Sequence, residues 1–315
     1  MKVRAARLDD VSAICRAHLS AVPRWTRSQE DGKGEEVRYE ELTLFQRWLH
    51  GGPHMSPELC AVHLNHLLLA GQTAWVAEDE NGRVVGEIEV LEGEERDLGR
   101  TAHVSVLNVD APARRMGAGR ALVEAVEARA RANGCAWLTT RPADDAVPFY
   151  ERLGISKRLR RPMEVEIDLE HPLPEPPEAS EIVSPLDGYR PLSIRHMVLG
   201  CTQSPFQNWQ LRRWTLAGID EDRGAEEGYL PDLDAYYRLE RAIGNPPGRR
   251  EGGAFAWVGD RACGPLVLAW LAGKASSSGY ARLRTAIAQE DLAWLEGFEV
   301  TERSPFLILG KPLTT

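Results

Sequence analysis

Cysteine is scarce in this sequence and is not arranged in pairs. The 315 residues contain only five cysteines, which is an odd number, and no two of them form a Cys-x-x-Cys motif. This pattern argues against a disulfide framework and against a zinc ribbon. It is typical of a protein in a reducing compartment, so we expect a cytoplasmic location.

Long apolar runs are missing as well. No uninterrupted apolar stretch approaches the roughly 20 residues that a membrane-spanning helix needs. The first ten residues contain no apolar signal core. The sequence therefore predicts a protein with no membrane partner.

An excess of positive charge is also absent. The chain has 38 Lys and Arg residues against 47 Asp and Glu residues, which gives a net charge of −9. A surface that binds nucleic acid usually carries a basic excess, so we expect no nucleic-acid partner. The acidic balance suits a cationic acceptor such as an amine, and it is equally what solubility alone requires.

The length and one proline-rich segment predict two domains. At roughly 100–200 residues per domain, 315 residues suffice for two. Residues 171–178 contain four prolines within six positions, which stops both helices and strands and favours a stiff, extended linker. We therefore expect domains at 1–170 and 181–315, joined by a linker at 171–180.

The first half alternates between strand and helix patterns. Strands are predicted at 2–6, 73–78, 83–91, 101–109 and 135–140, with a last strand within 157–169. Helices are predicted at 9–18, 39–49, 56–71 and 119–132, before a short helix that ends at Gly154. Residues 23–37 are predicted to be a loop, and Asp79-Glu80-Asn81-Gly82 a hairpin turn.

The segment with the clearest chemistry lies between a predicted strand and a predicted helix. It contains Arg114-Arg115-Met116-Gly117-Ala118-Gly119-Arg120. The two glycines allow backbone conformations that other residues avoid, and they allow a ligand to approach closely. The free N–H groups at the start of the helix point outward with the positive end of its dipole behind them, which favours a bound phosphate.

This segment differs from a dinucleotide-binding motif, because the third glycine is missing and several elements precede it. It resembles instead the pyrophosphate loop of the GNAT acyltransferase superfamily. The resemblance covers about residues 3–169 and includes both the Arg-Arg-x-Gly-x-Gly loop and the downstream string Phe149-Tyr150-Glu151-Arg152-Leu153-Gly154-Ile155.

The resemblance implies an α/β (α+β) fold with a mixed central sheet whose fourth and fifth strands splay apart. Acetyl-CoA would be the co-substrate. Its pantetheine arm would lie between those strands and contact the backbone of Leu107 and Val109. Its pyrophosphate would lie on the loop formed by Arg114, Arg115, Met116, Gly117, Ala118, Gly119 and Arg120.

The resemblance also suggests catalytic groups. It places a tyrosine at Tyr150, facing the thioester sulfur, and we predict that this residue is the proton donor. The backbone N–H of Val109 would stabilise the oxyanion. For the general base we predict His103, because it lies six residues before Val109 and a period of two puts both side chains on one face. Glu87 and Glu89 are the reserve candidates.

The remaining histidines and tryptophans are candidates for metal binding and for acceptor binding. Cys60, His63 and His66 follow one another at spacings of three, but no further ligand lies at a usual zinc spacing, so we predict no metal site. Four tryptophans could line an acceptor pocket or simply pack in the core. They are Trp25, Trp48, Trp209 and Trp214.

The second half resembles the first at a distance. Residues 254–258 and 262–271 are predicted to repeat the strand–turn–strand pattern, and 281–288 followed by a helix from Asp291 repeat the end of the first half. Only nine residues then remain before 281, so the pyrophosphate loop is predicted to be deleted. Alignment of Gly297 with Gly154 places Ala293 opposite Tyr150. We therefore expect a degenerate, duplicated half that binds no acyl-CoA and forms an internal pseudo-dimer.

Three functions remain open from the sequence. The first is an acetyl-CoA-dependent N-acetyltransferase that acts on a small-molecule amine, as a monomer with an internal pseudo-dimer or as a weak homodimer. The second is a non-catalytic acyl-CoA-binding sensor or scaffold. The third is a protein N-acetyltransferase, which would need an open groove of peptide size.

Overall fold

The computed structural model describes residues 1–28, 34–214, 224–242 and 250–313. Its strands are β1 (Lys2–Ala5), β2 (Thr26–Ser28), β3 (Gly34–Glu36), β4 (Thr73–Glu78), β5 (Val84–Glu95), β6 (Gly99–Val109), β7 (Trp137–Thr140), β8 (Lys157–Arg160), β9 (Pro162–Asp168), β10 (Ile182–Val183), β11 (His196–Leu199), β12 (Glu226–Leu230), β13 (Ala235–Arg241), β14 (Glu251–Val258), β15 (Arg282–Ala288), β16 (Val300–Pro305) and β17 (Ile308–Pro312).

The α-helices are α1 (Val11–Leu19), α2 (Leu44–Trp48), α3 (Pro57–Leu69), α4 (Ala118–Ala132), α5 (Val147–Arg152), α6 (Arg190–Ser193), α7 (Pro205–Arg213) and α8 (Gly264–Ser277). Short 3₁₀ helices lie at Leu8–Asp10, Tyr39–Glu41, Gly52–Met55, Ala111–Ala113, Asp144–Ala146, Pro231–Leu233, Arg261–Cys263 and Gln289–Leu295.

Local sequence signals explain several of these boundaries. Helix α3 begins where Ser56 caps it, with the Ser56 hydroxyl accepting a hydrogen bond from the Leu59 N–H at 3.3 Å. The turn between β4 and β5 forms because the Asp79 carboxylate accepts backbone N–H bonds from Asn81 and Arg83, both at 2.9 Å. The stretch predicted to be a loop instead contains the short hairpin of β2 and β3.

The first sheet has the strand order β1-β4-β5-β6-β7-β17-β8. Its strands are antiparallel except for β6 and β7, which are parallel and are joined by α4. Helix α4 covers one face, where Leu122 and Val126 pack on Ile88 and Val104. Helices α1 and α3 cover the opposite face. Residues of both faces therefore converge on β5 and β6, the central strands.

The second sheet repeats this plan. Its strand order is β10-β12-β13-β14-β15-β9-β16, with β11 paired to β14. Strands β14 and β15 are parallel and are joined by α8, as β6 and β7 are joined by α4. The mixed sheets, the splayed parallel pair and the duplication confirm the predicted fold class.

The two halves exchange one strand each. Strand β9 precedes the proline-rich segment, yet it lies between β15 and β16 of the second sheet. Strand β17 ends the described chain, yet it lies between β7 and β8 of the first sheet. The single last strand predicted within 157–169 is thus two strands in different sheets. The predicted boundary at 171–180 does not coincide with the boundary between the sheets.

The prediction of a strand at 262–271 was wrong. These residues lie in the 3₁₀ turn Arg261–Cys263 and in α8, whose first turn contains Pro265. A continuous apolar run is compatible with a buried strand and with a buried helix, and only its length and flanking residues distinguish them. A strand, a short connection and a long helix thus follow one another in the second half as they do in the first.

In the part of the chain that the structure describes, no helix is both long and apolar enough to cross a membrane.

Candidate active site

Strands β6 and β7 separate part-way along their length. Strand β6 pairs with β5 from Gly99 to Val109, but it pairs with β7 only from Thr101 to Val104. Beyond this point, no strand among the described residues pairs with the other edge of β6. The space that opens there, between residues 105–109 of β6 and the end of β7, is called the β6–β7 gap below.

The hydrogen-bonding pattern directs backbone groups of β6 into this gap. The Asp110 N–H donates to the Val85 carbonyl at 2.9 Å, and in an antiparallel ladder such bonds alternate along the strand. The N–H and C=O groups of Leu107 and Val109 therefore point away from β5. The Val109 carbonyl accepts a bond from Arg114 Nε at 3.2 Å, while its N–H is directed into the gap.

The loop before α4 has the backbone that its glycines predict. Arg115 and Gly117 have φ angles of 65° and 94°, which lie in the left-handed region. Gly117 is the N-cap residue of α4, and no side chain caps the helix. The first N–H groups of this 15-residue helix are thus available to an anion. A Cβ at Gly119 would lie 3.3 Å from the Phe149 ring, so this glycine permits close packing with α5.

One cavity joins this loop to the β6–β7 gap. Its volume is about 710 Å³. The predicted residues that line it are Leu107, Val109, Arg114, Arg115, Gly117, Ala118, Gly119, Arg120 and Tyr150. Met116 does not line it and is 68% exposed. The sequence analysis missed Asn108 and Arg152, which also line the cavity. Among the described residues, four arginines and one carboxylate, that of Asp145, line this space, so it suits a polyanion.

Tyr150 occupies the inner part of this cavity. Its side chain belongs to the core beneath α4 and is only 6% exposed. Burial raises the pKa of Tyr150, and a hydrogen bond with Thr140 lowers it by less. The phenol therefore keeps its proton at neutral pH and can act as a donor.

His103 does not lie where the sequence predicts. The β5–β6 register shifts between Glu89 and Val90, so Ser105 is a bulge and the two sides of β6 exchange faces beyond it. His103 consequently lies on the face opposite Val109, with its Nδ1 2.8 Å from Thr139 Oγ1. Burial, with Arg160 and Arg141 nearby, lowers the pKa of His103 to about 3.

The reserve bases, Glu87 and Glu89, are buried on that same face. They contact three buried histidines, which are His18, His54 and His63. Burial raises the pKa of Glu87 to about 8. For Glu89, burial is opposed by His63 and His54, which together hold its pKa well below the usual value.

Three residues of α3 whose spacing could suit a metal site have different surroundings in the structure. They are Cys60, His63 and His66. Only His63 belongs to the histidine–glutamate cluster, while the His66 ring stacks on Trp214. Cys60 is buried beside Cys15, which raises the pKa of its thiol. The spacing along α3 therefore gave no information about the cluster, because its members come from separate elements.

A second cavity, of about 400 Å³, lies between the two halves. Trp48 and Trp214 line it together with the edge of His63 and the exposed Glu164. The other two tryptophans pack elsewhere, Trp25 on Tyr39 and Trp209 on Tyr189. Two of the four predicted tryptophans thus line a pocket and two are packing residues.

Comparisons with known proteins agree with this geometry. The model of the GNAT acetyltransferase family matches residues 36–155, which include the whole loop and Tyr150. Residues 36–155 are therefore similar to a GNAT acetyltransferase domain. A comparison with curated proteins found no match.

Solved structures show that the fold extends over both halves. The GCN5-related N-acetyltransferase from Kribbella flavida matches 98% of this chain and 70% of its own, with a TM-score of 0.60 and 10% identity. The GCN5-related N-acetyltransferase from Anabaena variabilis matches 99% of this chain and 73% of its own, with a TM-score of 0.59 and 10% identity. At this identity the likeness concerns the fold alone.

The second half has a counterpart of the β6–β7 gap, but a strand fills it. Strands β14 and β15 pair only from Glu251 to Gly253 on β14, and β11 then occupies the same edge at residues 256–258. The Gly200 N–H, just after β11, donates to the Ala286 carbonyl of β15 at 2.9 Å. Strand β11 therefore fills the space between β14 and β15 that corresponds to the β6–β7 gap of the first half.

The start of α8 also differs from the loop before α4 in the first half. A Cβ at Gly264 would lie 2.2 Å from the Trp294 ring, so that ring covers the first residue of the helix. Pro265 lacks an N–H group to offer to an anion. The first turn of α8 is thus covered by packing, whereas the first turn of α4 is open.

Proposed function

We propose that this protein is an acetyl-CoA-dependent N-acetyltransferase whose acceptor is a primary amine of a small molecule. The observation that carries the proposal is the open edge of β6. It directs the backbone of Leu107 and Val109 into a cavity that also holds the arginine-rich loop and Tyr150. One cavity thus offers a phosphate site, a slot for an extended arm and a proton donor.

In this proposal the cofactor binds along the cavity. Its pyrophosphate lies at the amino terminus of α4, where the free N–H groups and Arg115 and Arg120 face it. The pantetheine arm extends an edge of the sheet by bonding to the backbone of Leu107 and Val109. The thioester then lies at the inner end of the cavity, beside Tyr150.

The chemistry is a direct transfer. The amine nitrogen attacks the thioester carbonyl carbon, a C–N bond forms, and the C–S bond breaks as the tetrahedral intermediate collapses. The Val109 N–H stabilises the oxyanion. Tyr150 donates its proton to the departing thiolate, and the proton that the nitrogen loses after its attack passes through water to the tyrosinate, which restores the phenol. The products are the N-acetylated amine and free CoA.

The amine must lose a proton before it attacks. An alkylamine of pKa about 10.4 pays about 4–5 kcal/mol for this at pH 7. His103 is a weak base because of its lowered pKa, and it lies on the face opposite Val109. We therefore route this proton to solvent water, and we keep His103 as the alternative, with Thr139 as its contact.

The position of the second half favours a small acceptor over a protein. Helix α7 lies against β5, where a Cβ at Gly93 would lie 2.2 Å from the Phe206 ring. The Gln207 side chain donates to Ser105 Oγ at 2.9 Å. These contacts cover much of the face of β5 and β6 that a peptide-sized groove would need.

The test combines stoichiometry and turnover. Native mass spectrometry of the purified chain should show one bound CoA, and a panel of small amines with acetyl-CoA should release free thiol with at least one acceptor. If one CoA binds but no amine gives thiol above the rate of thioester hydrolysis, the protein is an acyl-CoA-binding module and not an enzyme. If no CoA binds, both readings fail.

A further inference from the structure

A buried cluster of five ionisable side chains lies on the face of the first sheet opposite the loop. His18 comes from α1, His54 from the 3₁₀ helix Gly52–Met55, and His63 from α3, while Glu87 and Glu89 come from β5. Their exposed fractions lie between 1% and 9%. Four separate elements therefore bring three imidazoles and two carboxylates together where little of their surface reaches solvent.

The nitrogens of the three rings converge on the carboxylates. The Nε2 atom of His54 lies 2.9 Å from Glu89 Oε1, and that of His63 lies 3.0 Å from Glu89 Oε2. The Nε2 atom of His18 lies 3.0 Å from Glu87 Oε2. His54 Nε2 is also 3.5 Å from Glu87 Oε1. His54 thus belongs to both halves of the cluster.

The ligand atoms are close enough to share one ion after a small movement, since neighbouring ligands around a tetrahedral ion lie about 3.3–3.6 Å apart. The potential ligand atoms of His54, His63 and Glu89 all lie within 4.8 Å of one another, and the same holds for His18, His54 and Glu87. An ion with bonds of about 2.0–2.2 Å to nitrogen and oxygen fits between atoms at such distances.

A metal-free network leaves this cluster incomplete. Glu87 Oε1 is buried and has no hydrogen-bond partner among the described residues. Two adjacent buried carboxyl groups repel each other when both are ionised, and a bound cation would offset this repulsion. The donor set also selects the kind of ion, because imidazole nitrogen with carboxylate oxygen suits zinc and its neighbours, whereas calcium and magnesium prefer oxygen alone.

We propose that this cluster binds one divalent transition-metal ion such as Zn²⁺, with His54, His63 and Glu89 as ligands and the Glu87–His18 pair beside it. The sequence analysis predicted no metal site, because the ligands are spread over residues 18–89 without a regular spacing. The ion would join α1, α3 and the 3₁₀ helix to β5. Glu87 is the neighbour of Gly86, which pairs with Val109, so the ion would also brace the strand that borders the β6–β7 gap.

The test uses the full chain after removal of metals with EDTA. Equilibrium dialysis against Zn²⁺, followed by elemental analysis, should give one ion per chain. Dialysis against Co²⁺ should give visible absorption bands of a protein-bound ion. In Glu89→Gln and His63→Gln, which keep the size and polarity of the site, the apparent affinity for Zn²⁺ should fall at least tenfold.

The matched control is His66→Gln. His66 lies one turn further along α3 but outside both triads, so this variant should bind Zn²⁺ as the wild type does. The proposal is overturned if the wild type binds no ion. It is equally overturned if Glu89→Gln and His63→Gln retain the wild-type affinity, because the binding would then be at exposed histidines such as His171.

Folding is checked by far-UV circular dichroism of each metal-free variant. If one ligand variant does not fold, the other is compared with His66→Gln. If neither folds, the Co²⁺ spectrum of the wild type decides, since absence of bands that Zn²⁺ can displace overturns the proposal. The readout is metal content, so the result does not depend on whether the protein transfers acetyl groups.

Discussion

The two halves have the same arrangement of a mixed sheet and a long helix, but the space between the parallel strands is open in the first half and filled in the second. In the first half, residues 105–109 of β6 have an open edge, and a cavity of about 710 Å³ lies beside it. In the second half, the corresponding edge of β14 is paired with β11 at 256–258. A splayed pair of strands therefore offers a ligand site only when no other strand pairs with the exposed edge.

The starts of the two long helices differ in the same way, because the first is open and the second is covered. Gly117 has open space around the position of a Cβ, whereas Gly264 is covered by Trp294. The first helix offers unshared N–H groups and is flanked by arginines. The second begins with Gly264-Pro265 and follows Asp260, whose carboxylate accepts a bond from the Ala262 N–H at 2.9 Å. An added phosphate would meet this negative charge.

The largest effect is expected from Gly117→Asp. Aspartate is strained at a φ of 94°, and its charge opposes a phosphate at the helix start. We expect CoA to bind about 1,000-fold more weakly, a loss of about 4 kcal/mol, as measured by isothermal titration calorimetry. The matched variant in the second half is Leu266→Asp in the exposed first turn of α8, which should bind CoA normally. Equal losses in both variants would mean that the halves do not differ as described.

The next effect concerns stability and the exchanged strand. Leu309 of β17 is fully buried in the core of the first half, although it stands near the end of the chain. We expect Leu309→Ala to lower the free energy of unfolding by about 3 kcal/mol in urea titrations. Ile182→Ala, at an exposed position of β10, should change it by less than about 0.5 kcal/mol. A Leu309→Ala loss as small as that of the control would contradict the strand exchange.

Tyr150→Phe tests whether the open half is catalytic. Loss of the proton donor should lower kcat about 100-fold, which is about 2.7 kcal/mol. CoA affinity should stay within about twofold, since the phosphate contacts are unchanged. Tyr236→Phe removes a hydroxyl from the second half and should leave kcat as in the wild type. A Tyr150→Phe enzyme with full kcat would remove Tyr150 from the mechanism.

The smallest effect is a change in the pH dependence of stability through His103. The pKa of His103 is about 3 in the folded protein and about 6.5 when unfolded. Between these values only the unfolded state binds the proton, so this residue lowers stability as the pH falls below 6.5, by up to about 1.4 kcal/mol per pH unit.

In His103→Gln this contribution is absent. Urea titrations at pH 6.5 and 5.5 should therefore show a smaller loss of stability for the variant than for the wild type. The difference between the two proteins is the relevant quantity, since other groups contribute to both slopes. Parallel slopes would show that His103 is not held neutral by burial.

Much of the first half could be predicted from the sequence because its signals are local. Ser56-Pro57 marks the start of α3, and Asp79 with Gly82 forms the hairpin turn. The loop before α4 gave both the glycine backbone and most of the residues that line the cavity. In each case the residues that carry the signal lie within a few residues of the turn, cap or loop that they determine.

The errors arose where one residue or a distant partner decides the outcome. The bulge at Ser105 exchanges the faces of β6, so counting by two misplaced His103. The apolar run in α8 had no period that separates helix from strand, although Pro265 marks a helix start. The histidine–glutamate cluster depends on four elements that only the tertiary fold brings together.

The exchange of β9 and β17 changes what a domain means in this chain. Cutting the backbone within 171–180 would leave each fragment with a strand that belongs to the other sheet and a vacancy between two of its own strands. Neither fragment would have a complete sheet, yet each would contain the strand that completes the sheet of the other fragment. Two such fragments produced together would be expected to reassemble, each acting as the template on which the other closes.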